Sequence, residues 1–356
     1  MDVERAAKAP DRSGRPAVMS DVGRLAGVSH QTVSRVINGS RHVRPDTRER
    51  VLAAMHELGY RPNSIARALV TGRSQTLGVV SFDTTLYGPA STLFGIERAA
   101  HEAGYFIIIA SLKALDRASV SEAVDRLSLH GVDGILVIVS EQGSADALLA
   151  TSSTVPMVAV EGGPDQGIPV VAVDQRHGAS LATRHLLELG HRTVWHITGP
   201  ANSLESRERV RGWESALRTA GAPVPVALTG DWSARSGYFL GRQLSRDPSV
   251  TAVFVANDQM ALGLLRAMHE RGRAVPGDVS VVGFDDIPEA PFFTPPLTTV
   301  RQDFGEVGSR SLRVLVRAIE SHLSGATPPG GSLVAPELMV RASTAPVSHR
   351  SDATDS

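Results

Sequence analysis

The chain has 356 residues, 42% of them hydrophobic, a formal net charge of -1 and no cysteine. The missing thiols exclude a disulfide framework, a thiolate nucleophile and a cysteine-ligated zinc. No apolar run approaches the roughly 20 residues that span a bilayer, and the opening MDVERAAKAPDRSGRP lacks the apolar segment of a signal peptide. A cytoplasmic protein with no membrane partner is therefore expected.

At this length two or three domains are expected. The near-zero net charge conceals an asymmetry, because residues 1-75 hold 13 Lys and Arg against 7 Asp and Glu, while the rest holds 23 against 30. A basic head on an acidic body suggests a polyanion-binding module joined to a different one. Charge alone leaves a solvated basic tail equally open.

Residues 1-17 show no hydrophobic periodicity and read as a disordered arm. From Met19, the apolar positions Met19, Val22, Leu25 and Ala26 recur at helical spacing, and Gly27 ends that helix. Ser29 stands at an N-cap position, and Val33, Val36 and Ile37 give the next short helix an apolar face. A third helix starts at Pro45, with Val51, Leu52, Met55 and Leu58 facing inward and Gly59 as its stop. RPNSIARALVTG then predicts a helix of about two turns, too short to be stable alone in water.

Beyond Leu77 the rhythm changes to short β-branched runs alternating with helix-length segments: TLGVVSF, YFIIIA, GILVIV, VPMVAV and VVAVD, then TVWHITG, VPVALTG, AVFVAN and VSVVGFDD. Continuous Val/Ile runs separated by helices predict parallel strands buried on both faces. So many units would overfill one open sheet, so two α/β lobes are expected. Ligands of such lobes sit beyond the carboxyl ends of the strands.

The chemistry follows from these placements. DVGRLAGVSHQTVSRVI fits a helix-turn-helix, whose second helix enters the DNA major groove. Its outward His30, Gln31, Ser34 and Arg35 suit base edges and phosphates, although any small helical bundle shows polar outward residues. At the strand ends, Trp232 in GDWSARSG suits a stacking platform, or else a loop anchor with a satisfied indole. Asn257 or Asp258 in VANDQMALG is expected to cap the following helix. Asp285 and Asp286 in VVGFDD are adjacent, whereas a glycosidase acid and base must flank the scissile bond, so accepting hydroxyl hydrogen bonds is the easier role. Any of Arg207, Arg209 and Arg211 could fork onto two hydroxyls. No phosphate loop, nucleotide fingerprint, H-E-x-x-H or G-x-S-x-G occurs, and the histidines, among them His177, His185, His191 and His196, show no metal-ligand spacing.

Together AGVSHQTVSRVIN, RPNSIARALVTG, GDWSARSG, VANDQMALG and VSVVGFDDIPEAPFFTPPLTTVRQDF resemble the lactose repressor family of bacterial transcription regulators, from about Met19 to about Thr344. The resemblance implies an α/β protein with an all-α helix-turn-helix head at 18-61 and a hinge helix and linker at 62-75. An effector-binding and dimerisation core follows at 76-344, like periplasmic sugar-binding proteins. Its N-lobe would take about 76-173 and 302-334 and its C-lobe about 174-301 and 335-344, ahead of a disordered tail at 345-356.

Carried over residue by residue, the resemblance assigns DNA contacts to Ser29, His30, Gln31, Thr32, Ser34, Arg35, Asn38, His42, Asn63 and Leu69. Leu69 would wedge into the minor groove. Effector contacts fall on Leu86, Pro89, Arg209, Trp232, Asn257, Asp285, Gln302 and Phe304. The expected partners are pseudo-palindromic operator DNA, a small sugar and a second copy of the chain, with no cofactor and no metal. Trp232 is a feature of the galactoside-responsive member, which makes a β-galactoside the first choice. His30 replaces a tyrosine of that member. A sugar-contacting aspartate falls near Glu141 or Gln142, and Glu205 stands where a small serine is expected. The end of the chain, TAPVSHRSDATDS, has no leucine heptad, so a dimer is expected rather than a tetramer. The alternatives are a sugar-binding protein and a sugar-processing enzyme using Asp285.

Overall fold

The structure, a computed structural model, describes residues 17-37, 40, 42-61, 72-82, 84-112, 116-151, 153-161, 167-325 and 330-347. The expected hinge helix, most of the arm and tail, and the proposed DNA contacts Asn38, Asn63 and Leu69 lie outside the described residues. The chain divides into two compact units, Met1–Ser74 and Gln75–Ser356.

The first unit holds α1 (Met19–Ala26), α2 (His30–Ile37) and α3 (Pro45–Glu57). Gly27 closes α1 at φ 66°, and Pro45 opens α3, where its missing N–H costs no helical bond. Val22, Ala26, Val33, Val36, Val51 and Ala54 form the core. Leu25 and Leu52, expected inside, are 46% and 51% exposed. Small residues hold the inner positions instead, because α1 comes close to the turn before α2: a methyl group on Gly23 would stand 2.9 Å from the Val28 carbonyl oxygen.

Among the described residues, the second unit contains two six-stranded sheets. The first is built from β1 (Thr76–Phe82), β2 (Phe106–Leu112), β3 (Gly134–Ile138), β4 (Met157–Val160), β5 (Val170–Val173) and β11 (Ser332–Val334), in the order β11-β5-β4-β3-β1-β2 and all parallel. The second takes β6 (Trp195–Thr198), β7 (Leu228–Thr229), β8 (Ala252–Val255), β9 (Ser280–Asp285), β10 (Thr298–Arg301) and β12 (Glu337–Met339), in the order β12-β10-β9-β8-β6-β7. Only β12 runs antiparallel to its neighbour.

Helices cover both faces of each sheet. With the first sheet go α4 (Tyr87–Glu102), α5 (Arg117–Leu129), α6 (Gln142–Leu149) and α11 (Phe304–Ser324); with the second go α7 (Gln175–Glu188), α8 (Leu204–Thr219), α9 (Ala234–Leu244) and α10 (Asp258–Glu270). Two apolar clusters per sheet result, one on each face. Central strands such as β3, β8 and β9 are buried throughout, as doubly covered parallel strands must be. β2 departs from the expectation: it is an edge strand, and its Phe106 and Ile109 are 73% and 48% exposed. The run VPVALTG yields only the two paired residues of β7.

The chain passes between the sheets three times. It leaves the first after β5, returns between β10 and α11, and leaves again between β11 and β12. These crossings set the carboxyl ends of both sheets around a common cleft.

Candidate DNA-reading helix and effector cleft

In the first unit, the Ser29 hydroxyl accepts from the Thr32 amide at 3.2 Å and lies 3.0 Å from the Thr32 hydroxyl, which fixes the start of α2. Val33 and Val36 are buried on its inner face. His30, Gln31 and Arg35 are exposed and Ser34 is half-buried. Gln31 and Arg35 are one turn apart on the same edge, so a bidentate amide and a guanidinium are presented together. His42, beyond α2, is also exposed.

In the second unit, a cavity of about 450 Å³ opens between the strand ends of the two sheets, and Leu86, Pro89, Arg209, Trp232, Asn257, Asp285, Gln302 and Phe304 all line it. Leu86 and Pro89 come from the start of α4, and Phe304 from the first turn of α11, where its ring meets Tyr87 edge-on at 5.9 Å. Arg209 projects from α8 and is only 4% exposed. Its Nε donates to Gln175 at 2.9 Å, another nitrogen donates to the Ala256 carbonyl, and Nη2 lies 3.8 Å from Asp285. Gln175 donates to Gln302 at 2.8 Å, and Gln302 to Asp285 at 2.7 Å. Arg209, Gln175, Gln302 and Asp285 thus close a ring of polar contacts drawn from four segments. The Phe284 ring lies 3.8 Å from the guanidinium carbon, and Trp232 lies 5.6 Å away on the cleft side.

The backbone is unusual at the same place. Glu161, Trp232, Asp285 and Asp286 have φ of 60°, 72°, 110° and 52°, a region L-residues rarely adopt. All four follow or end strands, and such strain gathers at ligand sites where the surrounding packing holds it. The Trp232 carbonyl is tied by the Asn257 amide at 3.0 Å. Asn257 also caps α10 through Met260 and donates to Gln259, so its side-chain hydrogens are already engaged within the protein. Asp258, fully buried, accepts from Thr299 at 2.6 Å and from the Ile287 amide at 2.9 Å, bracing the loop that carries Asp285.

Asp286 does not join the cleft lining; Arg301 and Arg341 hold it at 2.7 Å and 2.6 Å. The neighbouring carboxylates therefore have separate tasks and form no acid–base pair. Arg207 and Arg211 are exposed and do not line this cavity, which separates them from Arg209. His196 is stacked on Phe254 at 4.5 Å, and burial pushes its pKa down to about 4, so it is a neutral core residue.

Sequence reasoning did not single out Gln175 or Glu161. Both immediately follow strand runs, VVAVD and VPMVAV, so the strand-end rule applied one residue further would have found them. Buried Glu161 is pushed up to about 8 by desolvation and then by the charge of Glu205. Glu205 is raised to about 7 and Asp285 to about 6, burial being the main cause in each. Glu141 and Gln142 instead bridge the two lobes: the Glu141 carboxylate accepts from Asn202, and Gln142 from Arg207, each at 2.8 Å.

A helix-turn-helix head followed by a two-sheet, ligand-cleft core defines a ligand-responsive DNA-binding regulator. Residues 18–63 match the family described as bacterial regulatory proteins, lacI family, and residues 183–344 match a periplasmic binding protein-like domain. The HTH-type transcriptional repressor PurR of Haemophilus influenzae is 36% identical over 334 residues, 92% of this chain and 98% of that protein. The lactose operon repressor of Escherichia coli is 35% identical over 333 residues, 93% of this chain and 91% of that one. A crystal structure of the lac repressor dimer bound to operator and the anti-inducer ONPF superimposes with a TM-score of 0.80 at 34% identity, covering 93% of this chain and all of that one. The chain belongs to the lacI family of bacterial regulatory proteins. It is a DNA-binding transcriptional regulator, and both of these relatives, each matched over more than nine-tenths of this chain, are repressors.

Proposed function

We propose that the protein is a cytoplasmic, dimeric repressor of sugar-utilisation genes that leaves a pseudo-palindromic operator when a sugar fills the cleft. The observation that carries this reading is the cleft itself: an indole platform, Trp232, faces a ring of polar groups formed by Arg209, Gln175, Gln302 and Asp285. An aromatic face against the apolar side of a pyranose, with a guanidinium and a carboxylate for its hydroxyls, is a saccharide-binding arrangement. A β-galactoside is the first choice, on the strength of Trp232. The head supports sequence reading through Gln31 and Arg35, with His30 setting the operator preference.

Filling the cleft biases the two lobes towards one relative position, and the segment 62-75 carries that bias to the head. A 10- to 100-fold loss of operator affinity requires about 1.4 to 2.8 kcal/mol of differential binding, within reach of a few sugar contacts. Asp286 is engaged by two arginines and so does not pair with Asp285 for acid–base work on the ligand. Footprinting on the protein's own promoter region, with and without a panel of galactosides and other sugars, tests the reading. A footprint that no sugar alters overturns the allosteric part, and product formation abolished by Asp285→Asn would favour an enzyme.

A further inference from the structure

The cleft is unbalanced in charge. Glu141, Glu161, Glu205, Asp231 and Asp285 line it, and among the described residues Arg209 is its only lysine or arginine. Three of the carboxylates are engaged: Glu141 by Asn202, Asp231 by the amide and hydroxyl of Ser233, and Asp285 by Gln302 and Arg209. Arg209 is itself held by Gln175, the Ala256 carbonyl and Asp285.

Glu161 and Glu205 belong to opposite lobes. Glu161 follows β4 of the first sheet; Glu205 lies in the first turn of α8, which packs on the second. Glu161 is 7% exposed, and its Oε2 accepts from the Val173 amide at 3.3 Å. Its Oε1 is fully buried and accepts no hydrogen bond from any described residue. Glu205 accepts from the Ser203 hydroxyl at 2.8 Å. A buried acceptor without a donor is a costly arrangement unless something else supplies one. A sugar hydroxyl could donate one hydrogen there but brings no charge to two carboxyls that burial holds in protonated form up to neutral pH. A protonated amine supplies three hydrogens and a positive charge that favours the ionised form of both carboxyls, and hydrogen bonds between ionised partners are the stronger kind.

We propose that the natural effector is an amino sugar, a saccharide with a protonated primary amine in place of one hydroxyl, whose ammonium sits between Glu161 and Glu205 while its ring lies against Trp232. The proposal rests on the reading of the cleft as a saccharide site. Because the two carboxylates come from different lobes, the ammonium joins the lobes directly, and its binding energy is available in full only when they are together.

Calorimetric titration of the full chain at neutral pH with methyl galactoside and methyl glucoside, and with their 2-amino-2-deoxy and 6-amino-6-deoxy counterparts, tests this. At least one amino derivative is expected to bind about tenfold or more tightly than its hydroxyl parent, a difference of about 1.4 kcal/mol. In Glu161→Gln and Glu205→Gln the preference is expected to fall below about threefold while the parent glycoside still binds. If no amino derivative exceeds its parent, or if the preference survives in both variants, the amine assignment is overturned and the saccharide reading stands. If no sugar of either kind binds, both fall. Should the variants fail to fold, the comparison on the unaltered protein decides.

Discussion

The indole of Trp232 packs so closely against Gly199 that a methyl group at position 199 would overlap the ring. Gly199 follows β6 and Trp232 follows β7, so two strand ends cooperate to hold one aromatic platform. In Gly199→Ala the ring must leave its place. Effector affinity is then expected to drop by about tenfold or more, a loss of about 1.4 kcal/mol. Calorimetry reads the affinity, and a shift in tryptophan emission reports the displaced ring; unchanged affinity would deny Trp232 its role.

Gln175 is the link that joins Arg209 to Gln302. Gln175→Leu removes an acceptor from a buried guanidinium and a donor from a buried amide. A loss of about 1–3 kcal/mol in urea denaturation is expected, together with weaker effector binding. A variant as stable as the parent would show that water replaces the link.

The raised carboxylates make stability depend on pH with a definite sign. Glu161 is held at about 8 and Glu205 at about 7 against an ordinary 4.5, so the folded protein retains protons that the unfolded chain releases. Stability from these groups is present below pH 4.5 and is lost as pH rises through about 7 and 8. His196 acts oppositely: its pKa of about 4 against 6.5 makes stability fall as pH drops below 6.5. Denaturation midpoints measured from pH 5 to 8.5 should show a flatter alkaline decline in Glu161→Gln. An identical profile would mean the Glu161 carboxyl is ionised throughout.

Gln31→Ala and Arg35→Ala are each expected to weaken operator binding by about 1–3 kcal/mol and to relax preference at one base pair. His30→Tyr should change which operator variant binds best while leaving the salt dependence nearly unaltered. Anisotropy on a library of single-base operator variants measures both, and a uniform loss across all sequences would mark these side chains as phosphate contacts.

The lobe bridge makes a separate prediction. Arg207 and Asn202 of one lobe donate to Gln142 and Glu141 of the other. Replacing both donors by alanine should loosen the contact between the lobes, weaken effector binding by a few fold and enlarge the radius measured by X-ray scattering. Unaltered scattering and affinity would show that the lobes need no such clasp.

The sheets and the head helices were legible because they are written in periodic apolar spacing, as in GILVIV or Val33 and Val36. Three short strands, β10, β11 and β12, were not anticipated; TTVR, SLV and ELM hold no continuous β-branched apolar run like VVAV or AVFV, and β12 exists by pairing with β10. Leu25 and Leu52 misled because spacing shows which residues could face inward, while close helix contact selects Gly23 and Ala54. The cleft residues at strand ends were within reach of a sequence argument. The ring from Arg209 to Asp285 was not, because its members lie as far as 127 residues apart in the chain.

The three passages of the chain between the sheets bear on how such a protein can be rebuilt. Neither lobe is a continuous piece of the gene: isolating one requires cuts near 174, 302 and 335, and each lobe would lose a strand to a simpler truncation. The head, by contrast, is one uninterrupted segment ending at Ser74. A single crossover can therefore give the sensor a new operator, whereas the two walls of its cleft are inherited together.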